Sequence, residues 1–147
     1  MIRIDKEAWD RMVAHAQAAY PNECCGAMLG VSDNGVTMVR EAVEMENAFD
    51  GEQRQRYEIR PEDLIQADRE ARSRGMDLVG VFHSHPDEDA YFSATDLKNS
   101  CPWYSFVVLS VRNGAFDHAR CFRPDLEQTK AEEETLEYPN RRMTTYG

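Results

Sequence analysis

The sequence predicts one domain of mixed α/β or α+β class, with helices packed on a central sheet. Three observations carry this. Two Asn-Gly steps, Asn34-Gly35 and Asn113-Gly114, each join runs rich in strand-forming residues, the signature of antiparallel hairpins. Two stretches with apolar residues at helical spacing interrupt the strand candidates. The chain has 147 residues, enough for one core and no more.

Asp5 stands where it can cap a first helix, whose apolar stripe is Ala8, Trp9, Met12, Val13, Ala16 and Tyr20. Pro21 and Asn22 stop that helix. Glu23 opens a strand running from about Cys24 to Val31, where Gly26 and Gly30 point to close approach by a neighbouring backbone. The turn Ser32-Asp33-Asn34-Gly35 leads to a return strand from Val36 to Met45. Residues 46–54 read as a polar loop, and Arg56 to Ile59 as a short strand. Pro61 fits the first turn of a second helix, with Glu62 and Asp63 near its positive end. Leu64, Ile65, Ala67, Asp68 and Ala71 follow at mixed helical spacing, and Gly75 is a natural residue just past the end.

Asp77 to His83 reads as a strand buried on both faces, and a short helix begins at Ser93. Ser105 to Val111 is the most hydrophobic strand candidate, and Ala115 to Arg123 returns from it. From Pro124-Asp125 to about Tyr138 the chain is acidic, with helical propensity and a thin apolar stripe. The last residues, from Pro139 on, read as a tail, so that residues 126–147 form a C-terminal extension to the single domain at 1–147. There is no internal repeat or low-complexity tract.

Residues 79–97, VGVFHSHPDEDAYFSATDL, carry the chemistry. Alternate residues of a strand share a face, so His83 and His85 can reach one point in space. Pro86 ends the strand, because it cannot donate to the ladder. Asp96 is a candidate third ligand, returned toward the histidines by the turn. Two imidazoles and one carboxylate suit zinc with an open fourth position. Ser93 and Asp96 are also a helix capping box, a competing use of the same residues. Ser84 points away from the histidines and reads as a packing residue. His15 and His118 read as ordinary surface or hairpin residues, and Asp87, Glu88 and Asp89 as a flexible acidic run beside the site.

Net charge is -10, which argues against a general phosphate-backbone binder. No apolar run approaches the ~20 residues that span a bilayer, and the first residues lack the pattern of a secretory signal. The expected location is the cytoplasm, with neither membrane nor nucleic acid as partner. Cys24, Cys25, Cys101 and Cys121 form no C-x-x-C pair and read as reduced thiols, with Cys24 and Cys25 on opposite faces of their strand.

His83-Ser84-His85-Pro86, followed by Ser93 and Asp96, resembles the H-x-H-P…S-x-x-D signature of the JAMM (MPN-type) metalloproteases. Glu23-Cys24-Cys25-Gly26-Ala27-Met28-Leu29-Gly30 is similar to the upstream Glu-x-x-Gly-x-x-x-Gly context of the same family. The likeness covers roughly residues 1 to 125 and implies a mixed sheet sandwiched by helices. It implies one zinc per chain on His83, His85 and Asp96, with Glu23 as general base and Ser93 stabilising the oxyanion. Short length and the segments around Pro21 and Ser93 resemble the small prokaryotic branch. The implied reaction is hydrolysis of an amide or isopeptide bond after the C-terminal Gly-Gly of a ubiquitin-like sulfur-carrier protein, releasing cysteine or a short extension. The alternatives are a non-catalytic scaffold module of the same family and a role near DNA. Monomer and homodimer are both open.

Overall fold

At both Asn-Gly steps the backbone turns through positive φ, at Asn34 and Gly35 and at Asn113 and Gly114. Each step therefore closes a tight antiparallel hairpin, as its residue types require. The computed structural model describes residues 1–139. Its elements are β1 (Ile2–Ile4), α1 (Lys6–Ala19), β2 (Cys25–Asp33), β3 (Val36–Met45), α2 (Pro61–Ser73) and β4 (Asp77–Pro86). They continue with α3 (Ala94–Lys98), β5 (Ser105–Arg112), β6 (Ala115–Pro124), β7 (Ala131–Glu134) and β8 (Leu136–Glu137).

The strands form one mixed sheet in the order β7-β6-β5-β4-β2-β3-β1-β8. β4 runs antiparallel to β2 and parallel to β5, so it lies in the middle. The two outermost strands are separated in sequence by Thr135 alone. Residues 131–137 thus pair with β6 at one end and with β1 at the other, and the sheet wraps round on itself. The amide of Ile2 donates to the Thr135 carbonyl at 2.9 Å where the two ends meet.

Helices cover both faces. Trp9, Met12 and Ala16 of α1 pack with Phe82, Val107, Leu109 and Leu136 in one cluster. Ala67 and Ala71 of α2 pack with Cys25, Ala27, Val81 and Phe106 in another. Each fully buried large side chain contributes about 1.5–3 kcal/mol, so these two faces are the main source of stability. Cys24 and Cys25 fall into opposite clusters, as strand alternation demands. Gly26 and Gly30 are needed for close approach: a Cβ would lie 2.4 Å from the Val43 oxygen at Gly26 and 1.9 Å from the Met38 oxygen at Gly30.

Three expectations change. Asp5 occupies the cap position of α1 without a side-chain cap bond, and its carboxylate turns to Arg40 at 3.7 Å. Arg56 to Ile59 is not a strand, because among the described residues it has no partner strand; its main chain meets the preceding loop, Ala48 N–H donating to the Glu58 carbonyl at 2.9 Å. The acidic stretch after Asp125 forms β7 and β8 and no helix. Cross-strand partners decide this, with Glu133 held bidentately by Arg120 at 2.7 and 3.0 Å and Glu134 accepting from Ser105 at 2.7 Å. The strand β1 has no counterpart in the sequence reading. The tail from residue 140 on lies outside the described residues. No described helix is long and apolar enough to cross a membrane.

Candidate metal centre

The alternation along β4 sorts its residues cleanly. Phe82 joins the α1 side and Val81 the α2 side, so His83 and His85 share the α2 face with Val81. Ser84 faces away and accepts from the amide of Cys24 at 2.8 Å, tying β4 to the start of β2. Ser93 caps α3 and brings Asp96 back over the strand end. His83 is 0% exposed, His85 3% and Asp96 5%.

These three residues converge on one point. His83 Nε2 and His85 Nε2 are 3.3 Å apart, and Asp96 Oδ2 is 3.2 and 3.1 Å from them. The His85 tautomer follows from its other nitrogen. Nδ1 lies 2.9 Å from the Asp89 carbonyl, which can only accept, so Nδ1 carries a hydrogen and the neutral ring has its lone pair on Nε2. In the neutral ring that lone pair faces a carboxylate oxygen in a buried place, an arrangement satisfied by a cation between them, a proton in the metal-free chain or a metal ion. A tetrahedron with arms of about 2.0–2.1 Å has edges of about 3.3–3.4 Å, close to the observed triangle. The donor set fits a metal ion, and among the described residues it is the group of three that can hold one.

The two competing uses of Ser93 and Asp96 coexist. Asp96 N–H donates to Ser93 Oγ and Ser93 N–H to Asp96 Oδ2, both at 3.0 Å. The same Oδ2 that closes the capping box faces the histidines. Accepting the Asp96 amide uses one lone pair of Ser93 and leaves its hydroxyl hydrogen to donate elsewhere.

Glu23 lies two residues before Cys25, the first residue of β2, whose register partner is His83, and it feels the charges of His85 and Asp96. It is 5% exposed, and its Oε1 is buried without a hydrogen-bond partner among the described residues. Burial pushes its carboxyl up to about 8; Asp96 and Glu88 add to this and His85 opposes it. Burial pulls His83 down against the attraction of Asp96. In His85 burial acts the same way, but the bond to Asp96 and its charge win and the group is raised. Asp96 is held well below the usual carboxylate range, because the two imidazoles outweigh its burial.

The loop Asp87 to Asp89 is pinned where flexibility was expected. Asp87 accepts from the Tyr20 hydroxyl at 2.6 Å and the Asn113 amide at 2.9 Å, and Asp89 pairs with Arg112. Tyr57, from the irregular segment before α2, stacks on the His83 ring. No spacing signal marks Tyr57 in the sequence. Asn47 anchors its loop, donating to the carbonyls of Glu23 and Arg56 at 3.1 Å each.

A family profile, prokaryotic homologs of the JAB domain, matches residues 5–124. Desampylase of Haloferax volcanii is 34% identical over 109 residues, which are 71% of this chain and 76% of that protein. A solved protein from Desulfitobacterium hafniense superposes with a TM-score of 0.81 at 26% identity, over 94% of this chain and 92% of that one. One from Salinibacter ruber gives 0.71 at 33% identity, over 95% and 92%. A JAB1/MPN domain protein from Archaeoglobus fulgidus shares the fold, with a TM-score of 0.58 at 18% identity over 94% and 96%.

Proposed function

The chain belongs to the family of prokaryotic homologs of the JAB domain, and from there we propose that it is a zinc-dependent metallopeptidase acting on a ubiquitin-like protein. The bond hydrolysed is the amide or isopeptide bond that follows the C-terminal Gly-Gly of a sulfur-carrier protein or of a similar modifier. The observation that carries this reading is the buried triangle of His83 Nε2, His85 Nε2 and Asp96 Oδ2, whose edges are 3.1 to 3.3 Å. Two nitrogens and one oxygen at low coordination favour zinc over the oxygen-seeking magnesium and calcium. The likeness to a desampylase supports the isopeptidase class, since that name denotes removal of a ubiquitin-like modifier.

The metal's contribution, when bound, is Lewis acidity felt by water and by the scissile carbonyl. Glu23 does the proton work. Its unpartnered Oε1 accepts the proton of the attacking water and returns it to the departing amine. Burial raises this carboxyl in the metal-free chain, and a bound dication would draw it back toward the ionised form that accepts a proton. The free hydroxyl hydrogen of Ser93 donates to the oxyanion as it forms. Asp89, through its carbonyl, keeps His85 in the tautomer that leaves Nε2 bare.

The test is intact-mass analysis of ubiquitin-like carrier proteins bearing C-terminal extensions, with a chelator and the Glu23→Ala variant as controls. Loss of the extension after Gly-Gly, blocked in both controls, is the expected result. No cleavage by a protein that also binds no zinc would sink the reading in favour of a non-catalytic module.

A further inference from the structure

His118 lies outside the metal triangle, on β6 opposite Ser110 of β5. Both of its ring nitrogens are engaged. Nε2 is 3.1 Å from the amide nitrogen of Ala90, and Nδ1 is 2.6 Å from Oδ2 of Asp117. An amide N–H can only donate, so Nε2 must present a lone pair. The ring hydrogen is then on Nδ1, facing the carboxylate.

The peptide unit that donates to His118 is the one whose carbonyl, on Asp89, accepts from His85 Nδ1 at 2.9 Å. Each bond therefore fixes the polarity of the next. The series runs from the Asp117 carboxylate to the His118 ring, the Asp89–Ala90 peptide, the His85 ring and the metal triangle. A peptide hydrogen-bonded at both ends is polarised, and its carbonyl becomes the stronger acceptor. A stronger bond at Nδ1 makes the imidazole a more basic ligand through Nε2.

We propose that His118 and Asp117 are positioning residues for the metal ligand His85, setting its tautomer, orientation and basicity through the Asp89–Ala90 peptide. The proposal rests on reading His83, His85 and Asp96 as a metal site. Other bonds hold the same loop. Asp87 is anchored by Tyr20 and Asn113, the Glu88 carbonyl by Ser110, and the Asp89 side chain by Arg112. The bond from Ala90 to His118 differs from these in addressing the very peptide that faces His85.

Two measurements test it on the full chain. Zinc affinity is read by competition with a chromogenic chelator, and histidine tautomers by long-range proton–nitrogen correlation in metal-free, nitrogen-15-labelled protein. In the wild type, His85 and His118 should both carry hydrogen on Nδ1. The His118→Leu variant, with its fold checked by melting, should bind zinc on the order of 10-fold more weakly and lose the fixed His85 tautomer. The His118→Gln variant keeps an acceptor for Ala90 and should recover most of the affinity. Hydrogen on Nε2 of wild-type His118 overturns the proposal, and needs no variant that folds. Wild-type zinc affinity in a folded His118→Leu protein also overturns it and leaves the metal site standing. If the wild type binds no zinc, the metal reading fails separately. The tautomers then still decide the relay: loss of the Nδ1 form of His85 in His118→Leu supports it, and an unchanged His85 refutes it.

Discussion

Tyr57 lies flat against His83, with ring centroids 4.5 Å apart and planes 24° from parallel. The imidazole is thus held from the side by a buried ring, while its Nε2 faces His85 and Asp96. The ring supplies packing, so Tyr57→Phe should keep both stability and zinc binding. Tyr57→Ala opens a cavity and should cost about 3 kcal/mol, with weaker zinc binding as His83 gains freedom. Urea melts and chelator competition read the two effects. Equal zinc affinity in both variants would show that the stack does not orient His83.

Zinc bound to the triangle should stabilise the folded chain. With free zinc at 100 times its dissociation constant the gain is about 2.7 kcal/mol. A thermal melt with and without chelator measures it, and His83→Ala should abolish the difference while leaving a folded protein. A zinc-dependent shift that survives in His83→Ala would place the metal elsewhere.

Glu23→Gln should retain zinc and lose roughly 10²–10⁴-fold in turnover. The side chain keeps its shape and loses only the capacity to take a proton. Zinc content and turnover on the same preparation separate a lost base from a lost metal. Turnover close to wild type would remove Glu23 from the mechanism.

The raised carboxyl of Glu23 also has a stability signature in the metal-free protein. Its ordinary value is 4.5 and its folded value about 8. Between these the folded chain keeps a proton that the unfolded chain has released, so stability falls as pH rises through that window. The slope contributed is at most about 1.4 kcal/mol per pH unit. His85, raised by Asp96 and also by Glu23, acts in the same direction, and loses the Glu23 contribution in the variant. The difference between wild type and Glu23→Gln in urea melts from pH 5 to 8 therefore reports Glu23 together with its coupling to His85. Parallel curves would mean that Glu23 is already ionised.

Gly26→Ala should destabilise the sheet beside the candidate metal centre by about 1–3 kcal/mol. Its Cβ would meet the Val43 backbone oxygen at 2.4 Å and, at 2.5 Å, the ring of Phe82, which is fully buried. Chemical denaturation measures this directly, and an unchanged midpoint would mean that β2 and β3 part more easily than their packing implies.

The readable parts of the sequence were those where one residue type has few places to go. Asn-Gly needs a turn, Pro61 a helix start, and His83 and His85 a shared strand face. Residues whose conformation depends on a distant partner were not readable. Glu132 to Glu134 favour a helix taken alone, and become a strand because Arg120 and Ser105 await them across the sheet. Ile2 to Ile4 is too short to carry a pattern and is a strand only beside β3 and β8. Tyr57 and His118 act through a ring stack and through a peptide, and neither leaves a mark in local spacing.

The stretch 131–137 has one further consequence. By joining β6 on one side to β1 on the other, it removes the open flanks through which sheets of separate molecules stick together. The strands that remain outermost are four and two residues long, too short to template a neighbour. A chain cut after Pro124 would keep every residue of the candidate metal centre, yet would bare the main chain of Cys121 to Arg123 and of Ile2 and Arg3. Such a fragment should self-associate at concentrations where the full chain does not. The last strands, remote from the chemistry, serve the colloidal life of the molecule.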